Sequence, residues 1–569
     1  MTVRKSTKLI LILPVVFILF GMVCTHVKGI SEAQVKSDAA WITGAVYDSQ
    51  NQPVEGVEVT LTMGSQEDSL AEVKTQPNGY YSISVPEYIP DGAGLNFERA
   101  HFEPEHLELD SNAVEMLRAG NTVKIPLVSL RRHISPAFWI ATLIFIGMLV
   151  MIAAGALHNT LSALVGAVLV LAISYLGQPI SESLYIFDFT SAISYIDWNV
   201  IFLVMGMMIV IAVVENTGVF QWLAFFAYRI SGGRSWLLLM ILMLITGIAS
   251  AFLDNVTTML LMTPISVQIA ISLGINPLAL LIPEVMASNV IGVSTLVGTP
   301  TNILIGSYAN ITFNDFLKNL TPGVLLAFIG LAVYCGFLYR KELAQAKSAS
   351  PILMERLAER GVITKPTHLK KAGVIGAFML VLFILGERIH LLPSVTALIG
   401  ATALMVWIRP NIDEMIEAVD WTTLVFFMSL FIVVGAVQEV GLISLVADGI
   451  GRVVGDNLLL TMLAVTWLSA LFSMVVANIP FTAAMLPVVG FLSATVPGAN
   501  SKVLFYCLSV GSAMGGNGSL IGASANMVTA GISEGAGYPI SYVYFIKKGF
   551  PALIITVGLA TLWLIFHFL

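Results

Sequence analysis

The chain has 569 residues, of which 57% are hydrophobic and only 11% charged, against roughly 45–50% and 25% in an ordinary soluble domain. With a mean hydropathy of +0.87, its apolar surface could not be hidden inside a water-soluble globule, so a cytosolic enzyme is excluded together with a collagen-like or a disordered chain. The sequence is that of an α-helical polytopic membrane protein, and a pI of about 5.7 with no basic stripe argues against a nucleic-acid partner.

Met1–Lys8 carries Arg4, Lys5 and Lys8, and an apolar run extends from Leu9 to Val23. Residues 1–30 therefore read as a signal peptide or an uncleaved signal anchor, and the segment after them is expected outside the cytoplasm. Residues 36–130 hold 15 of the 35 acids but only 5 of the 28 bases. That segment reads as a soluble domain of its own. It shows period-two alternation in Trp41-Ile-Thr-Gly-Ala-Val-Tyr-Asp48, Val57-Glu-Val-Thr-Leu-Thr62 and Tyr80-Tyr-Ser-Ile-Ser-Val85, with Pro/Gly/Asn turns between. The pattern predicts a small antiparallel β-sandwich. His101 and His106 beside Glu103 and Glu105 are read as a solvated acidic loop in preference to a metal site. Cys24, Cys335 and Cys507 lie in separate apolar runs with no CxxC pair, so neither a disulfide framework nor a zinc site is indicated.

From Ser135 onward the sequence is doubled. Asp197-Trp198 answers Asp420-Trp421, Gly218 answers Gly441, Asn255 answers Asn478 and Pro264 answers Pro487, each 223 residues apart. Gly298 answers Gly522 and Asn302 answers Asn526 at 224. Transport repeats are placed at 135–345 and 372–569, with a linker at 346–371. Helix–turn–helix pairs at about 235–271 and 457–495 have arms of about 15 residues, short of the roughly 20 needed to cross a bilayer. They are read as re-entrant hairpins, leaving five spans per repeat. Five is odd, so the two copies must be inverted with respect to each other. Arg340, Lys341, Lys347, Arg356, Arg360, Lys365, Lys370 and Lys371 cluster in and around the linker, whereas the loop 178–197 has no Lys or Arg. The positive-inside rule then puts the linker in the cytoplasm and residues 40–130 outside.

Broken helices survive in hydrocarbon only where they line a cavity, because each backbone group needs a partner. Two places per repeat show such breaks: the hairpin tips (Ala251-Phe-Leu-Asp-Asn-Val-Thr-Thr258; Val476-Ala-Asn-Ile-Pro-Phe-Thr482) and the interruptions (Ser288-Asn-Val-Ile-Gly292 with Ser294-Thr-Leu-Val-Gly-Thr-Pro-Thr-Asn302; Ser512-Ala-Met-Gly-Gly516 with Gly518-Ser-Leu-Ile-Gly-Ala-Ser-Ala-Asn526). Four half-helix ends are expected to meet near midplane, with their N–H groups suited to an anion and their Asn, Ser and Thr oxygens suited to sodium. The candidate substrate-binding residues are Asn255, Thr257, Thr258, Thr299, Asn302, Asn478, Thr482, Ser524 and Asn526. Candidate sodium ligands are Asn255, Gly298, Asn302, Asn478, Gly522 and Asn526. A carboxylate at membrane depth is expensive and usually functional, which marks Asp254 and Glu284 as candidates for proton or cation coupling. Asp254 is alternatively a helix cap. Glu215 and Glu439 each end an apolar run.

These motifs resemble the ion transporter superfamily, in its arsenite permease (ArsB)/NhaD branch and most closely its P-protein type. Asn255-Val-Thr257 is similar to a signature of the citrate and dicarboxylate sodium symporters. The amino-terminal pattern Gly-x-Val-x-Asp…Pro-Val-x-Gly-Val-x-Val resembles the carboxypeptidase regulatory-like domain. The resemblance implies an eleven-span fold with two hairpins, an elevator-type homodimer in the cell membrane, and a small ion substrate coupled to sodium or protons without any other cofactor. Many P-protein-type members carry Asp where this chain has Thr299, which makes the site look more like that of the anion symporters. The first expectation is thus an anion transporter. The alternatives are a Na⁺/H⁺ antiporter using Asp254 and an arsenite-type efflux permease. An intramembrane hydrolase would need a nucleophile–base pair or a metal motif, and neither occurs in the sequence.

Overall fold

The computed structural model describes residues 40–48, 53–63, 69–85, 89–90, 92–155, 157–232, 234–346 and 362–569. The amino-terminal signal or anchor and most of the predicted linker lie outside the described residues. The chain divides into two compact units, 1–133 and 134–569.

In the first unit, β1 (Trp41–Asp48), β2 (Glu58–Met63), β3 (Ser69–Lys74), β4 (Tyr80–Ser84), β5 (Ala93–Glu98), β6 (Glu105–Glu108), β7 (Val123–Lys124) and β8 (Val128–Leu130) form two sheets. One has the order β3-β2-β5-β6 and is antiparallel throughout; in the other, β1 pairs with β4, β7 and β8. Alternate residues Ile42, Val46, Val59, Leu61, Ile83, Leu95 and Phe97 fill the core. Gly79 at the β-turn has φ +75°, and a Cβ there would lie 2.5 Å from the Val46 carbonyl, so only glycine fits. The expectation of a purely antiparallel sandwich is corrected: β1 runs parallel to both β7 and β8. Helix α1 (Ser111–Arg118), capped by Asp110, carries the chain across so that β7 enters in the same direction as β1. His106 is engaged by Asn96 across the β5–β6 pair, at 2.5 Å, and no cluster of three metal-ligating side chains occurs among the described residues.

The second unit is helical and its two halves match element for element. The first half contains α2 (Pro136–Ala154), α3 (Asn159–Gly177), α4 (Phe189–Ser194), α5 (Trp198–Glu215), α6 (Val219–Ser231), α7 (Ser235–Phe252), α8 (Asn255–Ser272), α9 (Leu278–Ile291), α10 (Pro300–Ala309) and α11 (Phe313–Leu338). After the short α12 (Arg340–Ala344), the second contains α13 (Pro366–Leu385), α14 (Pro393–Ile408), α15 (Ile412–Glu417), α16 (Trp421–Glu439), α17 (Leu442–Val454), α18 (Leu458–Val475), α19 (Asn478–Thr495), α20 (Val503–Gly515), α21 (Ser524–Gly535) and α22 (Tyr542–Phe568). Local chemistry repeats with the sequence. Asp197 and Asp420 cap α5 and α16 through their side chains, and Gly218 and Gly441 turn the next corner with φ of +78° and +92°. The 13-residue helices after these corners, α6 and α17, are not evident from the sequence pattern.

Eleven of the described helices are long and apolar enough to cross a membrane, and four of them are the hairpin arms α7, α8, α18 and α19. Each arm has 18 residues. This corrects the expected length of about 15. Both hairpins close through one extended pair, Leu253-Asp254 and Val476-Ala477. The first tip abuts the break between α9 and α10: a Cβ on Gly298 would lie 2.8 Å from the Ser250 carbonyl and 3.0 Å from Ala251 Cα. The turn therefore sits part-way along the interrupted helix, which is the re-entrant arrangement.

The halves exchange partners reciprocally. Helix α5 of the first packs on α14 of the second, and α16 of the second packs on α3 of the first. Gly206 permits one approach, since its Cβ would meet the Ala397 backbone at 2.9 Å; Gly166 faces Val433 in the other. In the same way α10 packs on α19, and α21 on α8. Exchange of this kind is what a pseudo-twofold relation between two repeats produces.

Candidate functional site

Each break is held by the same set of bonds. Ser250 Oγ donates to the Ser288 carbonyl at 3.1 Å, and its counterpart Ser473 donates to the Ser512 carbonyl at 2.5 Å. Thr295 Oγ1 donates to the Ala251 carbonyl, and Ser519 Oγ to the Met474 carbonyl. The same hydroxyls accept from the Gly298 and Gly522 N–H groups at 3.0 and 3.1 Å. Asn302 Nδ2 donates to the Val293 and Thr295 carbonyls at 2.9 and 2.7 Å, and Asn526 Nδ2 donates to those of Gly516 and Ser519 at 2.8 Å each. These asparagines supply donors to carbonyls that the broken helices leave without one.

The remaining amide oxygens are met from the opposite half. Ser509 donates to Asn302 Oδ1 at 2.6 Å, and Asn289 Nδ2 donates to Asn526 Oδ1 and Asn517 Oδ1 at 3.0 Å each. Asn255 Nδ2 in turn donates to Asn289 Oδ1 at 2.9 Å. Asn478, the counterpart of Asn255, is buried as well, but Ala513 stands at the position equivalent to Asn289. Two of the candidate asparagines, Asn255 and Asn526, thus belong to one buried amide network that fastens the two breaks together, and Asn302 adds a separate bond between the halves through Ser509. Asn289 lies in the interruption motif of the sequence but not among the candidate ligands, and Asn517 and Ser509 were missed; the signal for Asn289 and Ser509 is a polar side chain inside an otherwise apolar helix next to a break, and Asn517 sits in the break itself.

A cavity of about 900 Å³ opens in front of the hairpin tips. Asp254, Thr257 and Ser524 line it, with Pro300, Ile479, Pro480 and Ile521. Asn255, Thr258, Gly298, Thr299, Asn302, Asn478, Thr482, Gly522, Asn526 and Glu284 are not among its lining residues. Its far wall comes from His158–Thr160 before and at the start of α3, Met207 and Met208 on α5, and Asp420 and Thr423 at the start of α16. Glu215 also reaches it. This wall is assembled from both halves, and only the Asp420 and Glu215 positions stand out in the sequence.

Four helices begin at the cavity: α8, α10, α19 and α21 each contribute a residue of their first turn. Their amino ends differ in a way that matters. Asp254 caps α8, its carboxylate accepting from Thr257 N–H at 2.8 Å and Thr257 Oγ1 at 2.6 Å. Thr299 caps α10 by accepting from Asn302 N–H at 3.3 Å. Ala477 and Ala523 occupy the corresponding positions before α19 and α21, and neither provides a side-chain cap. The second half therefore presents two helix amino ends without a side-chain cap; their open first-turn N–H groups are those of Asn478 and Ile479 on α19, where Pro480 has none, and of Ser524 and Ala525 on α21, where the Asn526 N–H donates to the Ala523 carbonyl at 3.0 Å. Glu439 does not lie at the cavity. It accepts from Tyr195 O–H at 2.5 Å, another contact between halves.

A family described as citrate transporter (CitMHS) matches residues 146–501, more than half of the chain. An uncharacterized transporter of Mycobacterium tuberculosis is 36% identical over 430 residues, covering 75% of this chain and 97% of that protein. The human P protein is 31% identical over 525 residues, 78% of this chain and 62% of the P protein. Among solved structures, the Neisseria gonorrhoeae efflux pump MtrF is similar with a TM-score of 0.47 at 12% identity, over 76% of this chain and 95% of that one. Through the match over residues 146–501 and through relatives that it spans almost from end to end, the chain belongs to the citrate transporter family of membrane transporters.

Proposed function

We propose that this transporter moves a small anion by secondary active transport, and that the anion docks on the uncapped amino ends of α19 and α21. The observation that carries this reading is the convergence of four helix starts on one cavity, two of them lacking a side-chain cap. An anion would complete the N–H groups that Ala477 and Ala523 leave open, and Ser524 would add a hydroxyl. Asp254 faces the same cavity from α8. It is a carboxylate of the docking cavity whose charge a coupling proton or sodium ion would cancel.

A second reading is favoured by a different feature of the same cavity. Asp254, Asp420 and Glu215 line it with His158, and among the described residues no Lys or Arg does. Such a lining suits cation exchange, with Asp254 carrying the exchanged ion. In either case the reciprocal packing of α5 on α14 and α16 on α3 supplies a scaffold, against which the two hairpins and broken helices would slide together as an elevator. The residues 40–130 would face away from the cytoplasm, and the working unit would be a homodimer.

Reconstituted protein tests this. Labelled citrate, a dicarboxylate, sulfate, chloride and arsenite are offered to proteoliposomes with and without sodium and proton gradients. Gradient-driven accumulation of one anion supports the first reading. Sodium–proton exchange with no anion requirement would replace it by the second.

A further inference from the structure

Outside the cavity, one acidic side chain is sealed into the first half. Glu284 on α9 is 0% exposed. Its Oε2 accepts from Ser266 Oγ at 2.8 Å and from Thr246 Oγ1 at 3.4 Å, while its Oε1 has no partner among the described residues. Ser266 lies on α8 and Thr246 on α7, so a single carboxyl group ties both arms of the first hairpin to the broken helix. Thr263 precedes Ser266 by one turn on the same face of α8. It too is 0% exposed, and its hydroxyl likewise has no partner. Folded proteins leave few buried polar atoms unpaired, and such atoms call for an ion or a water.

Among the described residues, no fixed counter-charge stands beside it. Helices α7, α8 and α20, which pack against α9, carry no Asp, Glu, Lys, Arg or His. Asp315 and Lys318 on α11, Glu534 on α21, and Lys547, Lys548 and His567 on α22 lie on the other packed helices, and the side chains that hydrogen-bond Glu284 among the described residues are the hydroxyls of Ser266 and Thr246. An ionised carboxylate in so dry a place needs a mobile cation beside it.

We propose that Glu284 Oε1 and Thr263 Oγ1, with the Thr246 and Ser266 hydroxyls, form a binding site for one small monovalent cation, with Na⁺ as the fitting ion. The cation enters as the carboxyl group releases one proton, so the charge buried in the site stays constant. One carboxylate and neutral hydroxyl oxygens suit a monovalent ion better than a divalent one, which would keep an uncompensated charge. Because the ligands come from α7, α8 and α9, occupancy fixes both hairpin arms against the broken helix and thereby sets the tip that bears Asp254 and Thr257. The device belongs to the first half alone: Leu508, Leu486 and Val489 stand at the positions equivalent to Glu284, Thr263 and Ser266. The coupling role rests on the transport function proposed for the cavity, whereas the binding itself does not.

The test is thermal unfolding of the full-length protein in detergent with increasing NaCl against choline chloride at constant ionic strength, which needs no transport substrate. A ligand that binds the folded state raises Tm. NaCl is expected to raise Tm in the wild type and in D254N, to raise it only at concentrations at least about ten-fold higher in T263V, to raise it less in E284Q than in the wild type, and to have no effect beyond choline in D254N/E284Q. The NaCl needed for a given shift should rise about ten-fold per unit fall in pH when one proton is displaced. A wild type indifferent to sodium, or E284Q with an unchanged sodium shift, overturns the site. A shift lost in D254N and kept in E284Q moves the cation to the cavity and also overturns it. Failure of the anion panel with a sodium shift intact would instead count against the transport reading alone.

Discussion

The side-chain amide of Asn289 donates to Asn526 Oδ1 at 3.0 Å, although the two residues are 237 positions apart and belong to different repeats. The same amide group donates to Asn517 Oδ1 and accepts from Asn255. Asn289 is therefore the hub of the network that joins the two breaks.

Replacing it should be costly. Asn289→Ala removes three hydrogen bonds and leaves the oxygens of Asn517 and Asn526 buried without that donor, at roughly 1–3 kcal/mol for each unsatisfied group. A lower unfolding midpoint in detergent and loss of transport are expected together. Asn302→Ala should behave similarly, because it strips the Val293 and Thr295 carbonyls of their donor. Wild-type stability in Asn289→Ala would show that the network is ornamental.

Ala477→Asp provides the opposite case. An aspartate before α19 would cap an end that is open in the wild type, adding about 0.5–2 kcal/mol of stability. It would also occupy the N–H groups assigned to the anion. The expected outcome is a more stable protein with a KM for the anion raised at least about ten-fold. Unchanged uptake would remove the uncapped ends from the docking site.

Asp254→Asn separates coupling from capping. Asparagine is as good a cap as aspartate, so the protein should remain folded and monodisperse. Uptake driven by a pH or sodium gradient should fall to the level seen without one. A pH profile identical to that of the wild type would assign Asp254 to capping alone.

In the β unit, Glu58 lies between Glu98 and Lys74 across its neighbouring strands. Its burial, aided by a hydrogen bond with Glu72 and by the charges of Glu72 and Glu98, raises its pKa. A folded-state value above the unfolded one means that the contribution of this group to stability is complete below the unfolded value and is lost as pH rises through the folded value. Glu58→Gln should therefore raise the midpoint of this unit at neutral pH and change it little at pH values below the usual carboxylate range. Melting curves at the two pH values decide it, and a larger effect in acid would reverse the sign.

Much of this molecule is written in spacing. The offsets of 223 and 224 locate both hairpins and both breaks, because Gly298 and Gly522 are demanded by backbone approaches that recur in each half. Spacing could not tell which face of each helix those residues present. Asn255 and Asn302 belong to the same motifs as Asp254 and Thr299, yet Asn255 turns to Asn289 and Asn302 to Ser509 and the carbonyls of its own break, and only Asp254 of these four reaches the cavity. The wall of His158, Met207 and Asp420 arises where segments of both halves meet, and no local pattern reports such a meeting. The parallel pairing of β1 with β7 was hidden for a similar reason: period-two alternation is identical in parallel and antiparallel strands.

The bonds from Ser509 to Asn302 and from Asn289 to Asn526 bear on how this protein is made. A ribosome delivers the first repeat to the bilayer long before Ser509 exists. Until then the side-chain oxygen of Asn302 lacks its closing donor, and the side-chain N–H groups of Asn289 lack the acceptors that Asn517 and Asn526 will bring. The first repeat must wait in lipid, unfinished, for the carboxy-terminal part of the polypeptide, so a stop codon placed before α20 should yield a product recognised by membrane quality control instead of a half-sized carrier.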